Sequence, residues 1–447
     1  MTGYEKRRVL VVGLGVSGFA AARALAGMGA RVHVTESGTG PDIDERARML
    51  RAEGVVVETG GHQLVGLDWD LAVVSPGIPP SAPVVTGLRR DGVDVIGEVE
   101  LAYRVSACDF LAVTGTNGKT TTTSLLAAML QEGGIKSVAA GNIGVPLIDA
   151  LARVPAGGAI ALEVSSFQLD TLDSFRARVA VLLNVAEDHT DWHGSFDLYA
   201  AAKARITMNQ SGDDVFMPNF EDPVAMGIAA AAPARIVPFS ALRVPPGGIG
   251  IEGGSIVYGG AEIIDVSDIS LTGRPGLDDV TAAAGAALEY GVDARAVARA
   301  ARAFRPLRHR LELVAEFDEV SYIDDSKATN PHATVAAVQD LENVVLIAGG
   351  RSKGIDLSSL KESVPPVVAV VALGEAATGV ENVFTGLVPV QKAATMQDAV
   401  RRARSMAISG GSVLLSPGCA SLDMYTGYAE RGEAFARAVE ALMKERK

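Results

Sequence analysis

Along this chain a short run of apolar residues, a turn rich in glycine and polar residues, and a helical run recur as a unit. Residues 9–12 form the first apolar run, followed by Gly13-Leu14-Gly15-Val16-Ser17-Gly18, a helical run over 19–28 and a second apolar run over 31–35. Runs without alternation predict strands covered on both faces, as in parallel sheets. The unit returns at 71–74, which ends in Ser75-Pro76-Gly77, at 93–96, which leads into a helix over 98–104, and at 110–114, which runs into a second glycine turn and a helix to Leu130. Further strands are expected at 159–162, 179–184, 321–323, 344–347, 367–373 and 412–415, and one alanine-rich helical stretch at 279–302. Between 212 and 275 the chain is rich in Gly and Pro, and only short β-like pieces are legible.

Strands alternating with helices predict an α/β protein. At 447 residues the chain exceeds what one core covers, so three domains are expected. These are a Rossmann-like unit over 1–105, a central P-loop ATPase-like unit with a mostly parallel sheet over 106–305, and a C-terminal Rossmann-like unit over 306–447, with the second boundary at Phe304-Arg305-Pro306.

A net charge of −13 argues against nucleic acid or anionic lipid as a general partner. Cys108 and Cys419 are too few and too distant for a disulfide framework or a zinc site, which suits a reducing compartment. Lys6, Arg7 and Arg8 before an apolar stretch look superficially like a secretory leader. Gly13, Gly15, Gly18 and Arg23 instead make that stretch a strand, a turn and a helix, and no apolar run approaches the roughly 18 residues of a membrane span. The expected location is the cytoplasm, without membrane insertion.

The first turn has the G-x-G-x-x-G spacing, with Glu36 after the next strand, as in dinucleotide sites. Its physical content is narrower: small residues let the backbone approach a diphosphate at a helix N-terminus. The second turn, Gly115-Thr116-Asn117-Gly118-Lys119-Thr120, is more specific. It supplies backbone donors, an ammonium for the β/γ oxygens and a hydroxyl for magnesium, although Val113 stands where the general P-loop pattern has glycine. Triphosphate binding follows. Glu163-Val164-Ser165-Ser166-Phe167-Gln168 ends an apolar strand and would face that loop in a parallel sheet, with Glu163 a candidate magnesium ligand. His189 and His193 have the spacing of a helical zinc pair but lack a third ligand and the glutamate of H-E-x-x-H. Lys203, in a run of alanines, looks by composition like a solvated helix lysine. Three more polar loops follow strands near the C-terminus: 324–330 (Asp-Asp-Ser-Lys-Ala-Thr-Asn), 349–354 and 416–423. At one sheet edge they would make a site.

Together these strings resemble the Mur ligase family over essentially the whole chain. Residues 114–120 look like its ATP loop, 163–168 its metal-proximal segment, and 325–330 with 416–423 its D-glutamate-adding branch. The resemblance implies an ATP-dependent ligase joining D-glutamate to UDP-N-acetylmuramoyl-L-alanine through an acyl phosphate. It also implies roles. Gly115, Thr116, Asn117, Gly118, Lys119, Thr120, Thr121, Asn142, Arg310 and Asp325 would bind ATP. Gly15, Ser17, Gly18, Thr35, Glu36, Ser75, Pro76, Gly77, Asn142, Ser165 and His189 would hold the UDP substrate. Lys327, Thr329, Lys353, Ser421 and Tyr428 would receive D-glutamate, Tyr428 standing where phenylalanine is expected. Thr120, Glu163, His189 and Lys203 would hold magnesium, Lys203 as a carbamate, which reverses its compositional reading; Lys119, His189 and Lys203 would be catalytic. Where many members carry a His-Asn pair, this chain has Asp278-Asp279. A monomer is expected.

Three rivals stand beside this reading. A nicotinamide-dependent oxidoreductase would leave the second glycine turn unexplained. A nucleotide switch or transport ATPase would need no amino-acid site. A sister ligase or a folate polyglutamate synthase would differ in its acceptor.

Overall fold

The strand, turn and helix units assemble into three separate α/β sheets plus one small β insertion. The computed structural model describes residues 3–66, 68–271 and 273–445. In the first sheet Arg8–Val12 lies in the middle, between Arg31–Glu36 and Leu71–Val74, with Val56–Thr59 and Val95–Gly97 at the edges and every pair parallel. The chain turns in opposite directions from the central strand, so the Gly13 turn, Glu36 and Ser75 open one crevice at the strands' carboxyl ends.

The central sheet is also parallel, in the spatial order Arg235–Ile236, Val215–Pro218, Val179–Leu182, Asp109–Thr114, Ala159–Glu163, Ser137–Gly141. Its register sets Val113 beside Glu163 and Thr114 beside Leu182, which brings the second glycine turn, Glu163 and Asn184 to one edge. The insertion is a four-stranded sheet running from Phe239–Ser240 to Ala261–Asp265. In the third sheet Glu312–Phe317 pairs antiparallel with Val320–Asp324; Ser412–Leu415, Val344–Gly349, Val367–Leu373 and Val390–Ala393 then follow in parallel. The three polar loops therefore leave adjacent strand ends. Among the described residues no helix is long and apolar enough to cross a membrane.

Two expected elements differ. The helix over 279–302 is two helices, Gly273–Glu289 and Ala294–Ala303. Gly291 takes a left-handed φ of 100° and Asp293 caps the second helix, so the break has a conventional stop and start. The strand over 179–184 ends at Leu182, because Asn184 turns to bond the neighbouring loop. Four strands without an apolar run, Val56–Thr59, Ser137–Gly141, Glu312–Phe317 and Val390–Ala393, all lie at sheet edges. There, one-sided burial removes the pressure for continuous apolar residues.

Glu98 and Glu100, on the helix Glu98–Val105, tie the first sheet's unit to the central one. Fully buried Glu100 accepts from the backbone of Asp173, Ser174 and Phe175 and from Arg104. Buried Glu98 accepts from Ile148 N at 2.7 Å.

Candidate active site

The second glycine turn is built by its neighbours as much as by its own residues. Gly118 has φ 86°, and a Cβ there would stand 2.2 Å from Asp279 Oδ1, so only glycine fits. Asn184 Oδ1 accepts from Asn117 N at 2.8 Å, and Asn184 O accepts from Thr116 N. Lys119 opens the helix Lys119–Glu132, and its Nζ turns back to Gly115 O and Thr116 O, both at 2.9 Å. Burial holds its pKa below the usual lysine value.

A cavity of about 890 Å³ lies over this loop, between the central and third sheets. That is the size of a nucleotide-class ligand site. Thr116, Asn117, Gly118, Lys119, Thr120, Thr121, Asn142, Glu163 and His189 line one wall; Arg310, Asp325, Lys327, Thr329 and Tyr428 line the other. Lys327 Nζ donates to Thr120 Oγ1 at 3.0 Å and lies 4.9 Å from the centre of the Tyr428 ring. Burial and the neighbouring Arg310 charge bring the Lys327 pKa down to about 8. Asp325 accepts from Ser416 Oγ at 2.8 Å, and burial raises its pKa to about 7. Arg310 Nε is buried with no hydrogen-bond partner, a donor left for an anionic ligand.

Glu163 tests whether the site fits a metal. Its Oε1 accepts from Asn142 Nδ2 at 2.9 Å, whereas its buried Oε2 has no partner. A buried carboxylate oxygen without a donor is costly unless a cation completes it. Burial lowers the His189 pKa to about 4, leaving a neutral imidazole able to coordinate. With Thr120 on the same wall, the set offers oxygen and nitrogen donors that fit a divalent cation.

Lys203 is not a surface lysine. It is 1% exposed, beneath the glycine turn, with Nζ bonded to Gly115 O at 2.7 Å and 4.5 Å from the centre of the Tyr199 ring. Burial, and next the Lys119 charge, push its pKa well down. His193 does not pair with His189 toward a metal: its Nε2 meets Ser166 Oγ at 3.0 Å, and its Nδ1 lies 3.5 Å from Asp170.

A second cavity, of about 660 Å³, lies on the first sheet and is lined by Gly15, Ser17, Glu36, Ser75, Pro76 and Gly77. Glu36 accepts from Leu14 N and Gly38 N, both at 2.7 Å, so one donor of the first glycine turn is already used internally. Burial opposes the Glu36 charge, but these donors outweigh it and hold the pKa below the usual range. Gly18 and Thr35 line neither cavity. A Cβ on Gly18 would stand 2.0 Å from Gly13 O, and Thr35 is buried against Gly61 O, Glu58 and His62. Their place is beneath the crevice.

Four more expected residues stand apart from the cavity walls. Gly115 presents its carbonyl to the two lysines. Ser165 spends its hydroxyl on a capping box with Gln168. Lys353 and Ser421 are not among the residues that line the large cavity, although the Lys353 charge is near enough to contribute to the lowered His189 pKa. Motif reading missed Asn184, which shapes the turn, and Arg431, whose buried guanidinium donates to Ser326 O, Cys419 O and, at 3.5 Å, Gly349 O and so binds the three polar loops together. Asn184 could be suspected from its place after a strand end; Arg431 carries no local signal.

The chain matches three family descriptions in order: Mur ligase MurD-like, N-terminal domain over residues 7–97, Mur ligase middle domain over 113–243, and Mur ligase, glutamate ligase domain over 309–419. A UDP-N-acetylmuramoylalanine--D-glutamate ligase of Frankia casuarinae is 44% identical, covering 97% of this chain and 94% of its own. One of the same name from Pelotomaculum thermopropionicum is 40% identical over 99% of each. The fold is similar to that of a pseudomurein peptide ligase type C from Methanothermus fervidus, with TM-score 0.63, 17% identity, and coverage of 99% of this chain and 100% of that one.

Proposed function

The chain belongs to the Mur ligase family, and from that premise we propose that it uses ATP to join D-glutamate to UDP-N-acetylmuramoyl-L-alanine. The observation that carries this reading is the Lys327 to Thr120 hydrogen bond, which joins an amino-acid-type polar loop to a phosphate-type loop across one cavity. An amide ligase needs that juxtaposition; a nucleotide switch does not.

A carboxylate resists attack by an amine because its leaving group is poor, so it must first be phosphorylated. In this reading the substrate carboxylate attacks the γ-phosphate in line, and the acyl phosphate then meets the amine of D-glutamate. Lys119 leaves Gly115 O and Thr116 O to offset charge between the two anions, while the N-terminus of its helix faces the phosphates. Arg310 and Asp325 flank the nucleotide. Thr120, Glu163, His189 and a carbamylated Lys203 would hold magnesium, which would supply further charge compensation when bound. Lys327, Thr329, Lys353, Ser421 and Tyr428 receive D-glutamate, whose two carboxylates call for cations and hydroxyl donors. Gly15, Ser17, Glu36, Ser75, Pro76 and Gly77 take the UDP end, supported from below by Gly18 and Thr35, and Asn142, Ser165 and His189 lie toward the reacting end. Units 1–105, 106–305 and 306–447 thus carry UDP, ATP and amino acid, in a cytoplasmic monomer.

A screen of amine acceptors with UDP-N-acetylmuramoyl-L-alanine, ATP and magnesium tests this directly. D-Glutamate should be the preferred acceptor, with ADP and phosphate released in step with amide. Preference for another amino acid would indicate a sister ligase, and ADP release independent of any acceptor would indicate a switch.

A further inference from the structure

Asn117 and Asn330 lie 213 positions apart and face each other across the boundary between the central and third sheets. Asn117 Nδ2 donates to Asn330 Oδ1 at 3.3 Å, and Asn330 Nδ2 donates back to Asn117 Oδ1 at 3.1 Å. Asn330 Nδ2 also reaches Asp188 Oδ2 at 3.2 Å, and Asn117 Nδ2 lies 3.0 Å from His332 Nδ1. Asn330 is 2% exposed. Its Oδ1 has a second duty, capping the helix Pro331–Val338 through Ala333 N at 2.9 Å.

This pairing is demanding of position. The buried Asn330 amide and the half-buried Asn117 amide satisfy each other only when both are placed to within hydrogen-bond tolerance, and leaving the buried Asn330 amide without its partner costs more than a bond made in water returns. Asn117 is held by the loop itself, since its backbone N–H is fixed by Asn184 Oδ1 and the next residue is the constrained Gly118. The shape of the glycine turn therefore sets where the Asn330 amide must lie, and with it the loop bearing Lys327 and Thr329.

We propose that the Asn117–Asn330 pair is a latch through which nucleotide binding at the glycine turn and docking of the third sheet's loops stabilise each other. Asn330 is on this view a positioning residue for the reaction as well as a helix cap. Coupling of this kind is reciprocal: whatever fixes the turn favours docking, and docking favours whatever fixes the turn. The inference rests on the reading of the turn as a nucleotide site.

Asn330→Ser separates the two duties, because serine still caps a helix but cannot return the amide pair. The full-length protein is titrated with a non-hydrolysable ATP analogue and magnesium, and its radius of gyration is measured by X-ray scattering at saturation. Asn330→Ser is expected to bind the analogue roughly tenfold more weakly, within the range for groups in contact, and to remain more extended than wild type, with a melting temperature close to wild type. Asn117→Ser should act likewise, and the double variant should bind no more weakly than the worse single one. Wild-type affinity and compactness in Asn330→Ser, or effects that multiply in the double variant, would overturn the latch. Wild-type protein that binds no nucleotide would sink the functional reading and the latch together, whereas normal wild-type binding with an indifferent Asn330→Ser sinks the latch alone.

Discussion

Lys119 and Lys203 donate to one and the same acceptor, the carbonyl oxygen of Gly115, at 2.9 and 2.7 Å. Two buried ammonium groups on one carbonyl repel each other, and burial together with that repulsion pushes the Lys203 pKa well down. The result favours a neutral amine at Lys203, which is the form that combines with carbon dioxide to make a carbamate. Carbamylation would replace a repelling cation beside the proposed metal site with an oxygen ligand of the kind magnesium prefers.

Lys203→Ala should therefore be nearly inactive, and added short-chain carboxylates should restore part of its activity by filling the vacated ligand position. Turnover measured at saturating magnesium decides the matter: wild-type rates without added carboxylate would leave Lys203 no role in catalysis.

Lys119→Ala should lose ADP formation and amide formation together, because in the proposed reaction the acyl phosphate precedes the amide. Removing one electrostatic donor of a developing charge typically costs about 10²–10³ in kcat. ADP release at a near-normal rate would contradict the assignment.

Lys353 sits in a left-handed conformation, φ 56°, after the Gly349-Gly350 strand end, and its charge acts toward His189. Lys353→Ala is expected to raise the D-glutamate KM roughly tenfold, the low end for a hydrogen bond to a charged group. The ATP KM should hardly change. Equal effects on both substrates would argue against a local amino-acid contact.

Asp279 accepts from Thr122 Oγ1 at 3.0 Å beside Gly118, and burial raises its pKa to about 7. Below that pH it is neutral; above it, a carboxylate faces the glycine turn at Gly118. The ATP KM should rise between pH 6 and 8.5, and Asp279→Asn should flatten that rise and lower the KM at pH 8. A profile identical in variant and wild type would show that Asp279 does not sense the nucleotide.

Glu98 is buried at the junction of the first and central units, and burial raises its pKa from 4.5 to about 7. Between those values the unfolded chain has released the proton that the folded chain keeps, so stability falls as pH rises, by about 3 kcal/mol in all. Glu98→Gln can still accept from Ile148 N. It should leave stability unchanged near pH 4 and raise it at pH 8, as read by chemical denaturation. An unchanged difference between the two pH values in the variant would assign the dependence to another group.

Much of the fold was legible because buried parallel strands must be apolar throughout and glycine turns must follow them. The strands at Leu71–Val74, Val367–Leu373 and Ser412–Leu415 fall where the apolar runs do. Edge strands such as Val390–Ala393 and the break at Gly291 escaped, since half-exposed strands tolerate polar residues and alanine-rich helices conceal their ends. At the site, the glycine turn stood out by its spacing alone, while Asn184 and Arg431, which shape and join the loops, carry no pattern that a motif would capture.

By itself the sequence determined the alternation of strand and helix, the glycine turns, and the supply of lysines, hydroxyls and carboxylates at strand ends, because each depends only on near neighbours in the chain. Tertiary structure alone decided which of these groups meet. It buried Lys203 under the turn that carries Lys119, left Glu163 Oε2 without a donor, and set Asn330 against Asn117 from 213 positions away. It also decided protonation: an aspartate at 279 or 325 is an ordinary carboxylate in sequence and titrates near 7 only because packing has removed its water.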